Sequence, residues 1–346
     1  MIDIPQYLLQ NKEPFFVCSR SVLRAQVEAL KGLGVEVFYS VKTNPERCIL
    51  EELQKLGVGF SVSGMPELLS VMSLGAKPEK VVYYERGLTK ERAEKAIQAG
   101  CRNFVVESER AFESLSEGLK AGFMVLVRIK AEGGNGKYSG KYLPGVGLET
   151  AESIVRKCKG LGATCGLLHH GSSQTESPGD WRRKFDYLSG LPRADVVDIG
   201  GGIPLSYGGE DDGRVLEEIK TGIKRINAKR IIAEPGRFIV GPACSLVARV
   251  ALVDGENAVL NCSVYNVHID TIIADLVLPC RVLKPGKGAV DYRLLGSSLC
   301  NLDVFNGSVR LPKLEEGDAV VFDKAGAYNF SSDFCPGYGI KTYMVE

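Results

Sequence analysis

The feature that most constrains the fold is an alternation of short strand-like runs with helical segments along the first two thirds of the chain. Each run is short and apolar, whereas the segments between the runs carry apolar residues at spacings of three and four and end in glycine. The pattern repeats eight times between about residues 20 and 240, in EVFYSVK, VGFSV, KVVYYE, NFVVES, FMVLVRI, TCGLLHHG, DVVDIGGG and RIIAEPG. Eight units match a parallel (β/α)8 barrel in count and length, whereas a doubly wound sheet usually has fewer strands.

After Arg237 the pattern changes to alternating or β-rich runs separated by turn residues, in CSLVARVALVD, AVLNCSVYNVHI, GAVDYRLLG and DAVVFDKAG. Runs of this kind indicate a mostly antiparallel sheet. We therefore predict two domains, a TIM-like barrel over residues 13–240 and a β-sandwich or β-barrel domain formed by residues 1–12 and 241–346.

Charge and composition restrict the partners of the chain. Its 43 basic and 42 acidic residues give a net charge of +1, which provides no electrostatic basis for binding nucleic acid or an anionic membrane. The amino terminus lacks a signal-peptide pattern and no apolar run is long enough to span a membrane, so we predict a cytoplasmic protein with a small substrate. The ten cysteines include no CxxC pair, which predicts reduced thiols.

Lys42 follows the run FYSV and precedes a turn at residues 43–45. Active sites of (β/α)8 barrels lie at the carboxyl ends of the strands, so residues at these ends are the first candidates for function. A lysine at the barrel mouth can have its pKa lowered by partial desolvation and neighbouring charge, which suits Schiff-base chemistry. The alternative is an ordinary surface lysine just past the strand.

Two further strand ends suit an anion and a ring nitrogen. The seventh run ends in DIGGG, residues 198–202, where glycine lets backbone N–H groups approach an anion, although a flexible turn has the same composition. The eighth ends near Glu234 and Arg237. Arg237 suits a phosphate, and Glu234 suits a protonated ring nitrogen because a carboxylate raises the pKa of a neighbouring pyridine. These two side chains could instead form a structural ion pair.

The sixth run ends in His169, His170, Gly171 and Ser172. One imidazole ring could lie over a planar cofactor, and the Ser172 hydroxyl could bind phosphate. Adjacent residues of a strand face opposite ways, and the chain has only three histidines with no third ligand at suitable spacing. We therefore predict no metal site.

Together these segments resemble the alanine-racemase-fold (fold type III) decarboxylases that use pyridoxal 5'-phosphate (PLP), which include ornithine, diaminopimelate and carboxynorspermidine decarboxylases. YSVKTNP is similar to the family's Schiff-base lysine motif, HHGSS to its histidine-x-glycine-serine motif and GGGIP to its glycine loop. IAEPGR is similar to the segment whose glutamate contacts the pyridine nitrogen, and GAYNFSSDFCPGYG to the late aromatic segment. The motifs occur in the family's order and cover nearly the whole chain.

The resemblance implies a role for each matching residue. Lys42 would form the internal aldimine with PLP, His169 would stack on the ring, and Glu234 would hold the pyridinium. The phosphate would be bound by Ser172, Gly201, Gly202, Arg237 and Tyr328. Since the family's active site lies at a dimer interface, the resemblance also implies a homodimer in which the partner supplies the segment GSSLCNLD.

That segment, residues 296–303, departs from the family's pattern of glycine-x-x-cysteine-acidic-x-x-aspartate. Gly296 and Asp303 match the two ends, and Asp303 would bind substrate. If these ends fix the alignment, Leu299 takes the place of the catalytic cysteine, and Cys300 that of the acidic residue that binds a distal ammonium. If the loop bulges, Cys300 could still enter the site and protonate the carbanion.

Two other positions weaken the usual anchors for a distal ammonium. Ser61 stands where the family commonly has aspartate, and the segment VYNVHIDT, residues 264–271, has no clear acidic counterpart. Asp270, His268 or Asp303 could replace the missing anchors, or the distal group could differ from an ammonium.

We therefore predict PLP-dependent decarboxylation of a small amino acid, basic or diamino-acid-like or a derivative of one, in polyamine or lysine biosynthesis. A racemase on the same fold is an alternative, but it typically pairs the pyridine nitrogen with arginine, and Glu234 argues against this. A non-catalytic, decarboxylase-like regulator is the other alternative, because the cysteine segment is altered. Retention of Lys42, Glu234, Arg237 and the glycine loop argues for a bound cofactor.

Overall fold

The computed structural model describes residues 1–130, 143–191, 193–208, 213–284, 289–329 and 340–346. Contacts divide the chain into two compact units. We call the first the barrel unit, which consists of the described residues of 24–204 and 211–236. The second unit consists of the described residues of 1–23, 205–210 and 237–346.

The barrel unit is a closed barrel of eight parallel strands, numbered β2 to β9 because strand β1, Phe15–Ser19, precedes them. They are β2 Glu36–Ser40, β3 Gly59–Val62, β4 Val81–Tyr83, β5 Asn103–Val106, β6 Met124–Arg128, β7 Thr164–Leu168, β8 Ala194–Asp198 and β9 Ala228–Ala233. Each of the eight predicted runs overlaps one of these strands, and β8 and β9 begin one and two residues before their runs. The predicted (β/α)8 barrel is therefore confirmed.

A helix follows each of the strands β2 to β8 and returns the chain to the next strand. These helices are α2 Arg47–Lys55, α3 Met65–Ser73, α4 Lys90–Gln98, α5 Glu109–Ser116, α6 Leu148–Gly160, α7 Pro178–Ser189 and α8 Arg214–Ile223; α1 Arg20–Lys31 precedes them. Helix α5 begins where the Ser108 side chain accepts a hydrogen bond from the Ala111 N–H at 3.1 Å. Helix α6 buries Ala151, Ile154 and Cys158, at spacings of three and four residues.

Apolar side chains from the barrel strands pack together in one buried cluster, formed by Phe38, Val82, Val105, Met124, Leu126, Leu168, Val196 and Ile232. Side chains alternate along a strand, so the second residue after a cluster member points to the same face. Ser40, Tyr84, Arg128 and Asp198 stand at such positions. The packing of the barrel interior therefore directs these polar side chains to the face that the buried cluster occupies, at or directly after the carboxyl ends of their strands.

The second unit is a mostly antiparallel sheet, as predicted. Its path runs β12-β15-β10-β11-β13-β14, and β1 pairs with both β10 and β16. The strands after the barrel are β10 Cys244–Asp254, β11 Asn257–Leu260, β12 Cys280–Val282, β13 Val290–Leu295, β14 Val304–Leu311, β15 Ala319–Phe322 and β16 Lys341–Val345. Its short helices are α9 Arg237–Val240, α10 Val264–Val267 and α11 Asp270–Ile273.

The structure differs from the predicted domain division at strand β1. The sequence prediction placed residues 13–19 in the barrel, but β1 pairs antiparallel with β10 and parallel with β16 in the second sheet. All five residues of β1 are buried. Its sequence, FFVCS, is as apolar as that of a barrel strand, so composition does not separate the two sheets. At the other boundary the barrel unit ends at Gly236 instead of residue 240.

The prediction of reduced thiols is wrong for one pair of cysteines. Cys18 of β1 and Cys244 of β10 are register partners and form a disulfide, with their Cα atoms 4.1 Å apart. The two residues are separated by 226 positions in the chain, so no local spacing could reveal the bond. Both side chains are buried, as expected for cysteines in apolar segments.

Among the helices of the described ranges, none combines the length and the apolar character that a membrane-spanning segment needs.

Candidate active site

Lys42 lies in one turn of 3-10 helix, Val41–Thr43, directly after β2. Its neighbours in that turn are buried, whereas the Lys42 side chain is exposed. The backbone of the turn is fixed because the Tyr39 hydroxyl donates to the Asn44 carbonyl at 3.0 Å. The lysine therefore extends from a rigid backbone at the carboxyl end of the strand, as the sequence predicted.

Glu234 follows β9 and carries a buried carboxylate. Its Oε1 has no hydrogen-bond partner among the described residues, and its carboxylate is hydrogen-bonded to Ser61. Burial raises the pKa of Glu234, and the Ser61 hydrogen bond together with the charges of Lys42 and Arg128 opposes this. Lys42 and Glu234 therefore lie close enough at the barrel mouth to interact electrostatically.

Asp198, the last residue of β8, is a second buried carboxylate. Its Oδ1 accepts the Gly200 N–H at 2.7 Å, which fixes the start of the glycine loop. Burial raises the pKa of Asp198 well above its usual value, and the charge of Glu234 adds to the rise. Burial also lowers the pKa of Lys184 in α7 to about 7, and its ammonium donates to the Ile199 carbonyl. The sequence signal that could have identified Asp198 is its position as an acidic residue at the end of an apolar strand.

The glycine loop requires its glycines for steric reasons. A Cβ atom on Gly201 would lie 2.7 Å from the Glu234 carbonyl oxygen, and one on Gly202 would lie 2.5 Å from the Ser172 carbonyl oxygen. Gly202 also has a φ of +97°, which side chains disfavour. The Ser172 hydroxyl lies 3.0 Å from that of Thr175, whose N–H donates to the Gly202 carbonyl. Gly201, Gly202 and Ser172 are thus brought together.

The two adjacent histidines contact different groups. The centroids of the His169 and Tyr187 rings lie 5.6 Å apart, and burial lowers the pKa of His169 to about 3. The Nδ1 atom of His170 accepts the Gly201 N–H at 3.2 Å. Burial and neighbouring positive charges, Lys42 among them, hold the pKa of His170 well below its usual range. Stacking of His169 on a cofactor stays a prediction, and the ring that contacts the glycine loop is that of His170.

Arg128, the last residue of β6, is a buried cation that the sequence analysis did not single out. It donates from Nη1 to the Tyr84 hydroxyl at 3.1 Å and from Nη2 to the His170 carbonyl at 3.2 Å. The Tyr84 hydroxyl in turn donates to the Glu107 carboxylate. Burial, followed by this hydrogen bond, raises the pKa of Tyr84 to about 12. An arginine that ends an apolar strand was the signal that could have identified Arg128.

In the second unit, Arg237 begins α9 and is buried. Its Nη1 donates to the Tyr207 hydroxyl at 3.0 Å and lies 2.6 Å from Oδ2 of Asp270. The Tyr328 ring centroid lies 4.7 Å from the guanidinium carbon. Arg237 and Tyr328, both predicted to bind phosphate, are therefore neighbours. Asp270, a candidate substrate anchor, and Tyr207, which the sequence did not indicate, complete the cluster.

Asp303 holds the backbone of the 296–303 segment. Its Oδ1 accepts the Val264 N–H and its Oδ2 accepts the Ser298 N–H, both at 2.9 Å. A Cβ atom on Gly296 would lie 1.9 Å from Oδ1, so the glycine leaves room for this carboxylate. Both carboxylate oxygens of Asp303 thus have backbone partners within the same unit. Substrate binding by Asp303 stays a prediction.

Cys300 and Leu299 differ sharply in environment. The Cys300 Sγ lies 3.0 Å from the Tyr265 hydroxyl oxygen, and this hydrogen bond, followed by one from the Leu302 backbone, lowers the pKa of the thiol. The Leu299 side chain is fully exposed, at 103 % of its reference area. The segment therefore presents Leu299 outward and holds Cys300 against Tyr265, which leaves both predicted alignments of the cysteine position open.

Comparison with known proteins identifies the family. Residues 19–241 match the profile described as "Pyridoxal-dependent decarboxylase, pyridoxal binding domain". The chain belongs to the pyridoxal-dependent decarboxylase family. PLP is therefore its cofactor, and amino-acid decarboxylation is the reaction of the enzymes that it resembles.

Individual relatives cover nearly the whole chain of this decarboxylase. It is 28% identical over 377 residues to the diaminopimelate decarboxylase of Vibrio cholerae, covering 97% of this chain and 88% of the relative. It is 27% identical over 361 residues to antizyme inhibitor 2 of Xenopus laevis, covering 93% and 78%. The structure of the Vibrio vulnificus lysine/ornithine decarboxylase complexed with putrescine is similar, with a TM-score of 0.84, 25% identity and coverage of 97% and 95%.

The residues at the carboxyl end of the barrel fit the decarboxylase cofactor. Gly201 and Gly202 lie too close to neighbouring carbonyl oxygens to hold a side chain, and Gly202 lies beside Ser172, so glycine and hydroxyl groups suited to a phosphate stand together here. Glu234 offers a buried carboxylate oxygen that lacks a partner among the described residues, as a ring nitrogen would require. Lys42 offers an exposed amine on a fixed backbone.

His268 of the decarboxylase, a candidate anchor, is buried, and its Nδ1 lies 3.1 Å from the Thr271 hydroxyl. Burial lowers its pKa from 6.5 to about 4. The ring is thus neutral when folded and gains a proton on unfolding below pH 6.5, so its contribution to stability is lost as the pH falls toward 4. We expect the wild type to lose about 1 kcal/mol more stability than His268→Gln between about pH 7.5 and 5.5, measured by urea unfolding. Equal losses would mean that folded His268 is protonated.

Proposed function

We propose that this enzyme decarboxylates a small amino acid with a basic or diamino-acid-like side chain, or a derivative of one, with Lys42 as the residue that attaches PLP. The observation that carries the assignment of site residues is the buried Glu234 carboxylate within electrostatic reach of Lys42. A carboxylate in that place suits a cationic cofactor ring, which favours decarboxylation over racemisation. The diaminopimelate and lysine/ornithine decarboxylases among its relatives support the substrate class.

Bound PLP supplies an electron sink for the pair left when the substrate carboxylate departs as CO2. The buried carboxylate of Glu234 would hold a proton on the ring nitrogen of bound PLP, and its hydrogen bond with Ser61 would restrict its rotation. Exposure of the Lys42 amine allows it to exchange with the amine of an incoming substrate. Cys300 or a water molecule would return a proton to the α carbon, and the Tyr265 hydroxyl would stabilise the resulting Cys300 thiolate by a hydrogen bond.

A non-catalytic regulator is the second candidate, because antizyme inhibitor 2 of Xenopus laevis is among the relatives. The two functions are separated by a screen for CO2 release. We expect purified protein with added PLP to release CO2 from at least one of ornithine, lysine, arginine and diaminopimelate, or from an acylated form of these. Bound PLP without CO2 release from any of them would favour the regulator.

We also propose a cytoplasmic homodimer whose 296–303 segment serves the active site of the partner subunit. The exposed Leu299 and Leu302, the latter 61% exposed, support an interface at this segment. The names of the relatives support a place in polyamine or lysine biosynthesis.

Substitution of Asp303 tests the shared site. Asp303→Ala removes the acceptor of two backbone hydrogen bonds and should lower activity at least about 100-fold, because Cys300 and its neighbours lose their positions. If the segment serves the partner's site, mixing this variant with Lys42→Ala and exchanging subunits should restore about a quarter of wild-type activity, since half of the dimers then contain one intact site. No recovery after verified subunit exchange would show that each site uses its own segment.

A further inference from the structure

The guanidinium of Arg237 is held inside the second unit by residues from three segments. Its Nη1 donates to the Tyr207 hydroxyl at 3.0 Å and lies 2.6 Å from Oδ2 of Asp270, within ion-pair distance. The Tyr328 ring lies over the guanidinium at 4.7 Å. The Arg237 and Asp270 side chains are only 4% and 5% exposed. This is a buried ion pair in an aromatic setting.

The backbone of Asp270 is fixed. The residue begins α11, and its carbonyl oxygen accepts hydrogen bonds from the Ala274 and Leu276 N–H groups at 3.0 and 3.4 Å. His268, two residues earlier, is buried and neutral, because its pKa is lowered to about 4. Its ring therefore adds no charge beside the pair at neutral pH. The negative charge of Asp270 therefore acts as the counter-ion of the Arg237 guanidinium.

Removal of the counter-ion from a buried cation strongly destabilises the folded protein. A second anion that approaches an intact ion pair is repelled by the anion already present. The phosphate of PLP is an anion, and Arg237 is among the residues proposed to bind it. Phosphate and the Asp270 carboxylate would therefore compete for one guanidinium. The Asp270 carboxylate would then stabilise the protein without cofactor and would weaken the attraction of Arg237 for phosphate.

We propose that Asp270 is a positioning residue that acts as the counter-ion of Arg237 until the cofactor phosphate takes over this role, and that it thereby lowers the affinity for PLP. The inference rests on the proposed binding of phosphate by Arg237. It assigns Asp270 to the control of cofactor binding and removes it from the candidate anchors for the substrate's distal group.

The test is Asp270→Asn, which keeps the shape and a hydrogen-bond acceptor but removes the charge. We expect the variant to bind PLP about tenfold more tightly than the wild type, by titration of the cofactor absorbance. Its affinity for pyridoxal, which lacks the phosphate, should not change. Its melting temperature without cofactor should fall by several degrees, and saturating PLP should remove most of that difference.

The matched control is Asp323→Asn, because Asp323 is another carboxylate of the second unit with little exposure, 13%, and pairs with Arg281 at 3.1 Å. This variant should leave the ratio of PLP to pyridoxal affinity unchanged. Equal melting losses of Asp270→Asn with and without PLP, together with unchanged or weaker PLP binding, would overturn the proposal and leave Asp270 a purely structural residue.

If Asp270→Asn does not fold, the charge-balanced double variant Arg237→Gln/Asp270→Asn provides the measurement. It should lose most of the preference for PLP over pyridoxal, and an unchanged preference would overturn the proposal. Failure of the wild type to bind PLP at all would instead overturn the proposed function, so the two failures are distinguishable.

Discussion

Lys42→Ala should abolish covalent attachment of PLP and lower the rate of CO2 release by at least about 10³-fold. The reason is chemical, since alanine has no amine to attach the cofactor or to exchange with a substrate. The backbone should not move, because the turn at residues 41–43 is fixed by the hydrogen bond from Tyr39 to the Asn44 carbonyl. The folded protein is therefore retained, and the loss reports on chemistry.

Reduction of the holoenzyme with borohydride followed by peptide mass spectrometry measures the attachment directly. In the wild type the PLP adduct should map to Lys42, and in the alanine variant it should disappear. Lys95→Ala is the matched control, because Lys95 is an exposed lysine of the same unit that pairs with Glu91 at the surface. An adduct on another lysine in the wild type would contradict the assignment.

Glu234→Gln should lower kcat by about 10² to 10³ while PLP remains bound. Glutamine is nearly isosteric and can keep the hydrogen bond to Ser61, but its neutral amide cannot stabilise a proton on the cofactor ring nitrogen. The electron sink then loses its positive charge, and departure of CO2 becomes slow. Measurement of kcat at saturating PLP, with cofactor occupancy determined separately, isolates this effect from binding.

Glu67→Gln is the control for loss of a carboxylate near Lys42. Burial raises the pKa of Glu67, and the charge of Lys42 acts in the opposite direction. Its carboxylate lies in the first turn of α3 and accepts the Ser63 N–H at 2.7 Å. We expect a change in kcat below about fivefold. A loss equal to that of Glu234→Gln would mean that general charge near Lys42, and not the ring-nitrogen contact, sets the rate.

Two residues that resemble substrate anchors in the sequence have other partners in the structure. The Asp303 carboxylate accepts two backbone N–H groups, and the Asp270 carboxylate pairs with Arg237. An acidic residue in a loop is compatible with either role, and only its contacts separate them. The steric fit of Gly296 to the Asp303 carboxylate explains why the 296–303 segment has a glycine at one end and an aspartate at the other.

The sequence by itself determined the barrel, its eight strands and the strand ends that hold Lys42, the glycine loop and Glu234. It could do so because strand and helix periodicity are local, and because parallel strands bring their carboxyl ends to one edge of the barrel. Ser172 beside Gly202, and Tyr328 beside Arg237, followed from motifs that match a family in order.

Only the tertiary structure decided the pairings that join distant parts of the chain. These are β1 with β10 and its disulfide, Arg128 with Tyr84 and the His170 carbonyl, His170 with the glycine loop, and Asp270 with Arg237. The partners in each pairing lie tens to hundreds of positions apart in the chain, and a polar group removed from water is destabilised unless it finds a hydrogen-bonding or charged partner. The sequence records the polar residue, but its partner is set by packing.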